Sequence, residues 1–541
     1  MVRAILVASW CVFAVAASAH EPPPLFDGLG SHHHPITTSS PEAQRYFDQG
    51  LTLIYAFNHD EAARSFRHAA ELDPRAAMPH WGIALALGPN YNLDVDPARE
   101  LEAFAEIQRA RKLRASDEDR AYVDALARRF SDDPKANLNQ LARDYKDAMG
   151  ALTRRFPDDL DAATLYAESA MDLRPWQLWN ADGTPAEGTE EIVAVLESVL
   201  RRDPDHPGAN HFYIHAVEAS RRPERALPSA YRLETLVPAA GHLVHMPSHV
   251  YMRTGDFMAA VRSNERAIEV DRAYLATSDA HDATYAMMYA AHNVQFLTAA
   301  AAMAGRYAEA RGGGEQLVAQ LSTHGDEAPP ADMLPMVEAA LAQPIFVTLR
   351  FQRWNDALVM PEPPAFLPVL EALRHCARGM AFAAARKWKD VEAERAGLQA
   401  ARDALPERRM FGYSAASLIV ELADTELRAR LATARGDRSG AVAAWTTAVE
   451  LADRVTYDEP PDWYHPPREA LGAALLAARR PAEAEAVFRA DLERNPRNGR
   501  SLFGLWQSLE AQKKTSDAAW VRRQFDQAWR DADVRLTLGD L

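Results

Sequence analysis

Residues 43–76 read AQRYFDQGLTLIYAFNHDEAARSFRHAAELDPRA. Counted from Ala43, Gly50 stands at position 8, Ala62 at 20, Phe66 at 24, Ala69 at 27 and Pro74 at 32. The pattern is a packing rule. Small residues let two consecutive helices approach closely, and the aromatic fills the gap to the next hairpin. Proline then stops the second helix.

The rule returns along the chain. Residues 465–498 carry Gly472, Ala484, Phe488 and Pro496 at the same positions, with Asp491 the one poor match. Residues 207–240 match in their second half through Ala226, Ala230, Leu233 and Pro238, and residues 241–274 follow with Gly255, Phe257, Ala260 and Ala267. Shorter matches are Gly305, Tyr307 and Ala310; Gly436, Ala441, Trp445 and Ala448; and Ala518, Arg522 and Phe525. A 34-residue helix-turn-helix period is that of the tetratricopeptide repeat (TPR). Strand patterns are absent. The sequence therefore predicts an all-α, TPR-like solenoid of antiparallel helix pairs, which grows by stacking rather than by enlarging one core. Residues 85–150 read as helical but irregular. Gly312-Gly313-Gly314, Pro329-Pro330, Pro361 and Pro363-Pro364 punctuate the pattern. They predict two arrays, 42–311 and 366–541, joined by an irregular connection over 312–365.

The first 19 residues have the form of a secretory signal: Arg3, an apolar run from Ala4 to Ala16, then Ala17-Ser18-Ala19. The apolar run is short for a membrane span. Export to the periplasm or beyond the cell, with cleavage after Ala19 and no span afterwards, is the expectation. Residues 20–41 read as an extended arm, with Ser40 capping the first helix and Pro41 at its first position. Export would leave one cysteine, Cys376. That excludes an internal disulfide, a thiolate zinc cluster and CxxCH haem attachment. A net charge of −16 argues against a nucleic-acid partner.

Two histidine pairs carry the chemistry. His211 and His215 lie in NHFYIH, His245 and His249 in HMPSH, and the pairs are offset by one 34-residue unit. His242 and His292 fall at position 2 of consecutive first helices. Positions 2, 5, 9 and 12 of such helices line the concave groove, so His211, His215, His242, His245, His249 and His292 are expected on one groove surface, with Met252 beside them. Helices pack about 8–10 Å apart, and imidazoles from two of them reach a common ion. These six are the candidate ligands of a transition metal, copper or zinc, and more than four histidines suffice for two ions. No HExxH motif supplies the zinc-protease base. Glu218, Asp256 and Asp282 are nearby acids of unassigned direction. Pro247 is expected to push Met246 out of α geometry. It either starts a late helix, leaving His242 in a loop, or kinks a longer one.

Plainer readings stand beside this one. The histidines also suit a hydrogen-bonded network, or a groove for a peptide or anion that responds near pH 6. His32-His33-His34 and His20 are weak ligand candidates, His59 and His80 suit packing or exposure, and His281 lies where it could cover the site. Met246, Met252, Met287 and Met288 would soften the site toward copper, although methionine more often fills cores. Trp81, Trp176 and Trp179 read as repeat packing.

The segments SPEAQRYFDQG, FNHDEAARSFRHAAELDP, AMPHWGIALALG, HPGANHFYIHA and HMPSHVYMRTGDF resemble a family of bacterial TPR-repeat proteins, often exported, over about residues 30–310. The two histidine motifs are its specific part. The resemblance implies the fold and export, and transfers no catalytic role to any residue. Two functions remain in view: a metal-binding TPR protein, with an open coordination position giving scope for catalysis of an unspecified reaction, and a metal-free scaffold for a protein or peptide in the groove.

Overall fold

The computed structural model describes residues 23–92, 96–277, 285–322, 328–331 and 333–541. It is a succession of antiparallel helix pairs, beginning with Pro41–Tyr55 and His59–Leu72 and ending with Gly499–Ala511 and Thr515–Ala528. Among the described residues the named strands are Met410–Phe411 and Ser414–Ala415, a short antiparallel hairpin. The chain is all-α and TPR-like. No helix among the described residues is long and apolar enough to cross a membrane. Residues 1–19, read as a signal, and His20 lie outside the described residues, as do His281 and Asp282.

Local chemistry builds each pair. The Ser40 hydroxyl accepts from the Ala43 amide at 3.1 Å, and Pro41 opens the helix where its missing N–H costs nothing. Asn58 caps the second helix. Between them Phe57 takes the left-handed conformation, φ 56°. It occupies position 15 of its unit, where Gly255 and Arg479 also have positive φ. The turn geometry belongs to the repeat; a phenylalanine there is strained by about 1–2 kcal/mol.

The aromatic of the repeat is held between glycines. A methyl added at Gly50 would lie 2.6 Å from the Phe66 ring, and one at Gly82 would lie 2.5 Å away. Near the other end, Phe488 is clasped in the same way by Gly472 and Gly504, where an added methyl would overlap the ring. Gly504→Ala should therefore destabilise the protein by about 1–3 kcal/mol, the cost of overpacking a tight core. A urea or thermal melt indistinguishable from wild type would show that the hairpins tolerate sliding apart.

Two expectations are corrected. The helix Tyr307–Leu321 runs straight through Gly312-Gly313-Gly314. Glycine in a helix costs about 1 kcal/mol relative to alanine, but here close packing needs it: a methyl at Gly313 would sit 2.5 Å from the Thr298 hydroxyl, and one at Gly314 would sit 3.3 Å from Pro344. Residues 312–365 are likewise not irregular throughout, since Leu334–Leu341, Gln343–Arg350 and Trp354–Leu358 are helical. Buried apolar side chains on both sides of them join one core from Leu29 to Leu541. The arm is extended but pinned. Ala239 donates its amide to the Gly28 carbonyl at 3.0 Å, and the Ser39 amide and hydroxyl both donate to Asp73.

Candidate metal centre

Three stretches bring the six histidines together. Pro207–Glu218 carries His211 and His215 one turn apart, its start capped by the His206 ring accepting from the Ala209 amide at 3.2 Å. Gly241–His245 carries His242 and His245, and Pro247–Thr254 carries His249. Met246 between them stays helical, at φ −51° and ψ −34°. This corrects the expectation that Pro247 drives Met246 out of α geometry. The proline opens the second segment, and His242 remains on a helix. His292 opens Ala291–Met303, directly after a π-helical segment at Ala286–Ala290.

The histidines meet inside the protein rather than on an open groove. His211, His245 and His249 are 0% exposed, and His215 and His242 are 2% exposed. His292 is half-buried and faces a cavity of ≈ 60 Å³ that His215, His242 and His249 also line. The cover comes from elsewhere in sequence. The Phe57 ring packs 4.5 Å from His211 and 5.3 Å from His242, and Trp176 lies edge-on to His215 at 5.7 Å. Tyr413, at the hairpin turn, and Asp458 close the cavity from the C-terminal half. Groove positions of an N-terminal array thus become interior because both earlier and later segments of the chain pack over them.

Two groups of three imidazoles result, His211, His215 and His242, and His245, His249 and His292, with ligand atoms in each group within 4.8 Å of one another. Hydrogen bonds outside the groups settle the ring states. The Nδ1 of His211 donates to the Tyr55 carbonyl at 2.7 Å. His215 and His249 donate theirs to the two oxygens of Glu218, at 2.8 and 2.6 Å. His245 donates to Asn264 Oδ1 at 2.7 Å, and Asn264 is oriented by giving its own N–H to the Ala260 carbonyl. Four imidazoles therefore turn bare Nε2 lone pairs inward. Carboxylate and carbonyl partners on the far nitrogen are how proteins orient metal-binding histidines. His245 Nε2 and His249 Nε2 stand 2.8 Å apart, and His211 Nε2 and His242 Nε2 stand 3.1 Å apart. Two ligands on one tetrahedral ion, with metal–nitrogen bonds of about 2.0–2.1 Å, are separated by about 3.3 Å; the His211–His242 pair is close to this, and the His245–His249 pair is shorter and would open slightly around an ion.

Electrostatics favours neutral rings. Burial pulls His211, His242 and His245 well below the usual imidazole range, and neighbouring imidazoles add to it. Burial also lowers His215, and takes His292 to about 3. Burial pushes the Glu218 carboxyl up, but the charge of His249 and the hydrogen bonds from His215 and His249 outweigh it and hold the group at about 2. His211, His215, His242, His245 and His292 are thus held toward the neutral form, and the Glu218 carboxylate is ionised near neutral pH, as ligands and their orienting group must be.

A second histidine cluster has another character. Asp161 accepts from Tyr55 at 2.5 Å, from His32 at 3.0 Å and from His34 at 2.9 Å, with His206 Nε2 at 3.3 Å. The carboxylate is saturated by donors, and the cluster is a clasp that holds the arm on the helix Leu160–Met171. Burial opposes charge on His34, but the Asp161 hydrogen bond and charge overcome it and raise the ring to about 9. The sign follows. His34's contribution is fully present below pH about 6.5 and is lost as pH rises through about 9; it amounts to about 3 kcal/mol. Burial raises the Asp161 carboxyl, yet the His32 charge and the ring hydrogen bonds hold it well below its usual range. Its contribution is therefore lost only in strong acid. Hydrogen exchange in residues 23–40 should quicken between pH 6.5 and 9.5 beyond the intrinsic rate change, and His34→Gln should abolish that excess.

The remaining candidates separate cleanly. His80 bonds Glu106 at 2.5 Å, and His59 stacks on Phe57 at 5.8 Å, pushed by burial to about 4. Met287 and Met288 line the histidine cavity, whereas Met246 and Met252 sit in the apolar core. Asp256 lies at the exposed start of Phe257–Thr277, away from the histidines. Glu218 proves to be the shared orienting acid, and its place three residues after His215 is its one sequence signal. Asn264, Phe57, Tyr413 and Asp458 carry none.

Fold and site together define the class: a TPR-like solenoid enclosing a histidine cluster. No protein-family model matches the chain. No curated protein matches it either. Solved structures overlap it loosely. The human IFIT1 dimer with m7Gppp-AAAA is 13% identical, with 92% of each chain covered and a TM-score of 0.30. The P58(IPK) TPR domain is 10% identical, covering 87% of this chain and 99% of that one, with a TM-score of 0.23. Nothing about function passes across at these scores, and the helix pairs of this chain themselves define the fold.

Proposed function

We propose that this is a metal-binding TPR-like protein whose interior holds two transition ions, copper or zinc, each on three imidazoles. One observation carries the reading: His245 Nε2 and His249 Nε2 face each other at 2.8 Å while both far nitrogens are committed as donors. Two lone pairs at that separation repel unless a proton or a metal ion lies between them, and burial resists the proton on His245. An all-imidazole donor set suits copper and zinc, and the cavity methionines Met287 and Met288 favour copper of the two. Three protein ligands leave a fourth position open, the arrangement of catalytic rather than structural zinc sites. The leader-like residues 1–19 support an exported location. The outer surface of such a solenoid suits a protein partner, but with the histidines enclosed they would not be what that partner touches.

The test is elemental mass spectrometry of untagged protein purified without chelators. Two equivalents of copper or zinc per chain are expected. His211→Ala and His245→Ala should each retain one. Substoichiometric metal after incubation with excess copper and zinc would overturn the reading in favour of a hydrogen-bonded histidine network.

A further inference from the structure

A cavity of ≈ 710 Å³ lies beside the histidine cavity. The two share three wall residues, Met287, Leu321 and Val337. The proline runs that punctuate the sequence are part of its lining: Pro329, Pro330, Pro361, Pro363 and Pro364. Proline offers no N–H, so this wall has few donors. Val318, Leu341, Ile345, Met360 and Leu370 add apolar wall. The charged groups at the cavity are already paired. Arg374 bonds Glu371 at 2.9 Å and lies 3.7 Å from Glu362, and Glu315 accepts from Arg311 at 2.8 Å. The volume falls in the range of about 300–1,000 Å³ that small-molecule sites occupy. A predominantly apolar lining suits an apolar ligand.

We infer that this cavity binds a neutral, apolar organic molecule and presents one end of it, past Met287, Leu321 and Val337, to the histidine centre. A charged ligand is disfavoured because, among the described residues, no unpaired opposite charge awaits it there. The binding half stands on the cavity alone; the presentation half rests on the metal reading above.

The probe is N-phenyl-1-naphthylamine, a neutral fluorophore that brightens in apolar surroundings, titrated into the full chain. Metal-free protein should show one saturable site. Leu341→Trp and Leu370→Trp, which fill the cavity from different helices, should each weaken it at least tenfold while metal content and circular dichroism stay at wild-type values. Two variants guard against one that simply misfolds. Loading with copper(II) should then quench the bound probe by at least half, and loading with zinc should not. No saturable binding, or binding that both substitutions leave intact, overturns the proposal. Saturable binding that copper leaves unquenched overturns the presentation half. A protein that takes up no metal refutes the metal reading, while the titration of metal-free protein still decides the cavity.

Discussion

Stripping the metal should lower the melting temperature by on the order of 10 °C. A ligand present at a thousand times its dissociation constant stabilises the folded state by about 4 kcal/mol, so two such ions contribute about 8 kcal/mol. The geometry supplies the local reason. Without a cation, one of the paired Nε2 atoms of His245 and His249 must take up a proton, or a ring must turn away. Burial and the surrounding imidazoles resist the proton on His245, and turning breaks the bond to Asn264 or to Glu218. Calorimetry of protein as purified, after EDTA and after return of zinc or copper should show the transition fall and recover. In His215→Ala/His249→Ala, which takes one ligand from each group, EDTA should make no difference. Superimposable melts of wild-type protein with and without metal would show that no ion is integral to the fold.

Glu218→Ala should weaken both sites together. Its two oxygens are the acceptors for His215 and His249, which belong to different groups of three. Loss of the orienting partner of a ligand histidine costs about 10–100-fold in metal affinity. Two buried N–H donors are also left without acceptors, at about 1–3 kcal/mol each. Glu218→Gln is the sharper experiment. An amide has one acceptor oxygen, so it can serve one imidazole and turns an N–H toward the other. Competition with a chromophoric chelator should find two weakened sites in Glu218→Ala, but one near-native and one weakened site in Glu218→Gln. Wild-type affinity at both sites in Glu218→Ala would mean that other contacts hold the rings.

The sequence carries the repeat because the repeat is local. Gly50 and Phe66, like Gly472 and Phe488, stand 16 residues apart because one helix hairpin brings them into contact. The same locality makes the histidine pairs legible: on a helix, i and i+4 share a face, and a 34-residue offset repeats that face in the next hairpin. Propensity read alone misleads at Gly312-Gly313-Gly314, where the helix continues and Gly313 and Gly314 are retained because Thr298 and Pro344 press against them. It misleads again at Pro247, where Met246 keeps helical backbone angles between the two segments.

By itself, then, the sequence determined the helix pairs, their period and the identity of the six histidines, all of which follow from contacts within one or two neighbouring hairpins. Only the tertiary structure decided that those histidines are interior, that they divide into two groups of three, and that Glu218 joins the groups. The enclosing side chains Phe57, Tyr413 and Asp458 arrive from units far away along the chain, and Trp176 from the segment before Pro207–Glu218. How a solenoid closes on itself depends on the sum of many small rotations between units, and no short window of residues encodes that sum.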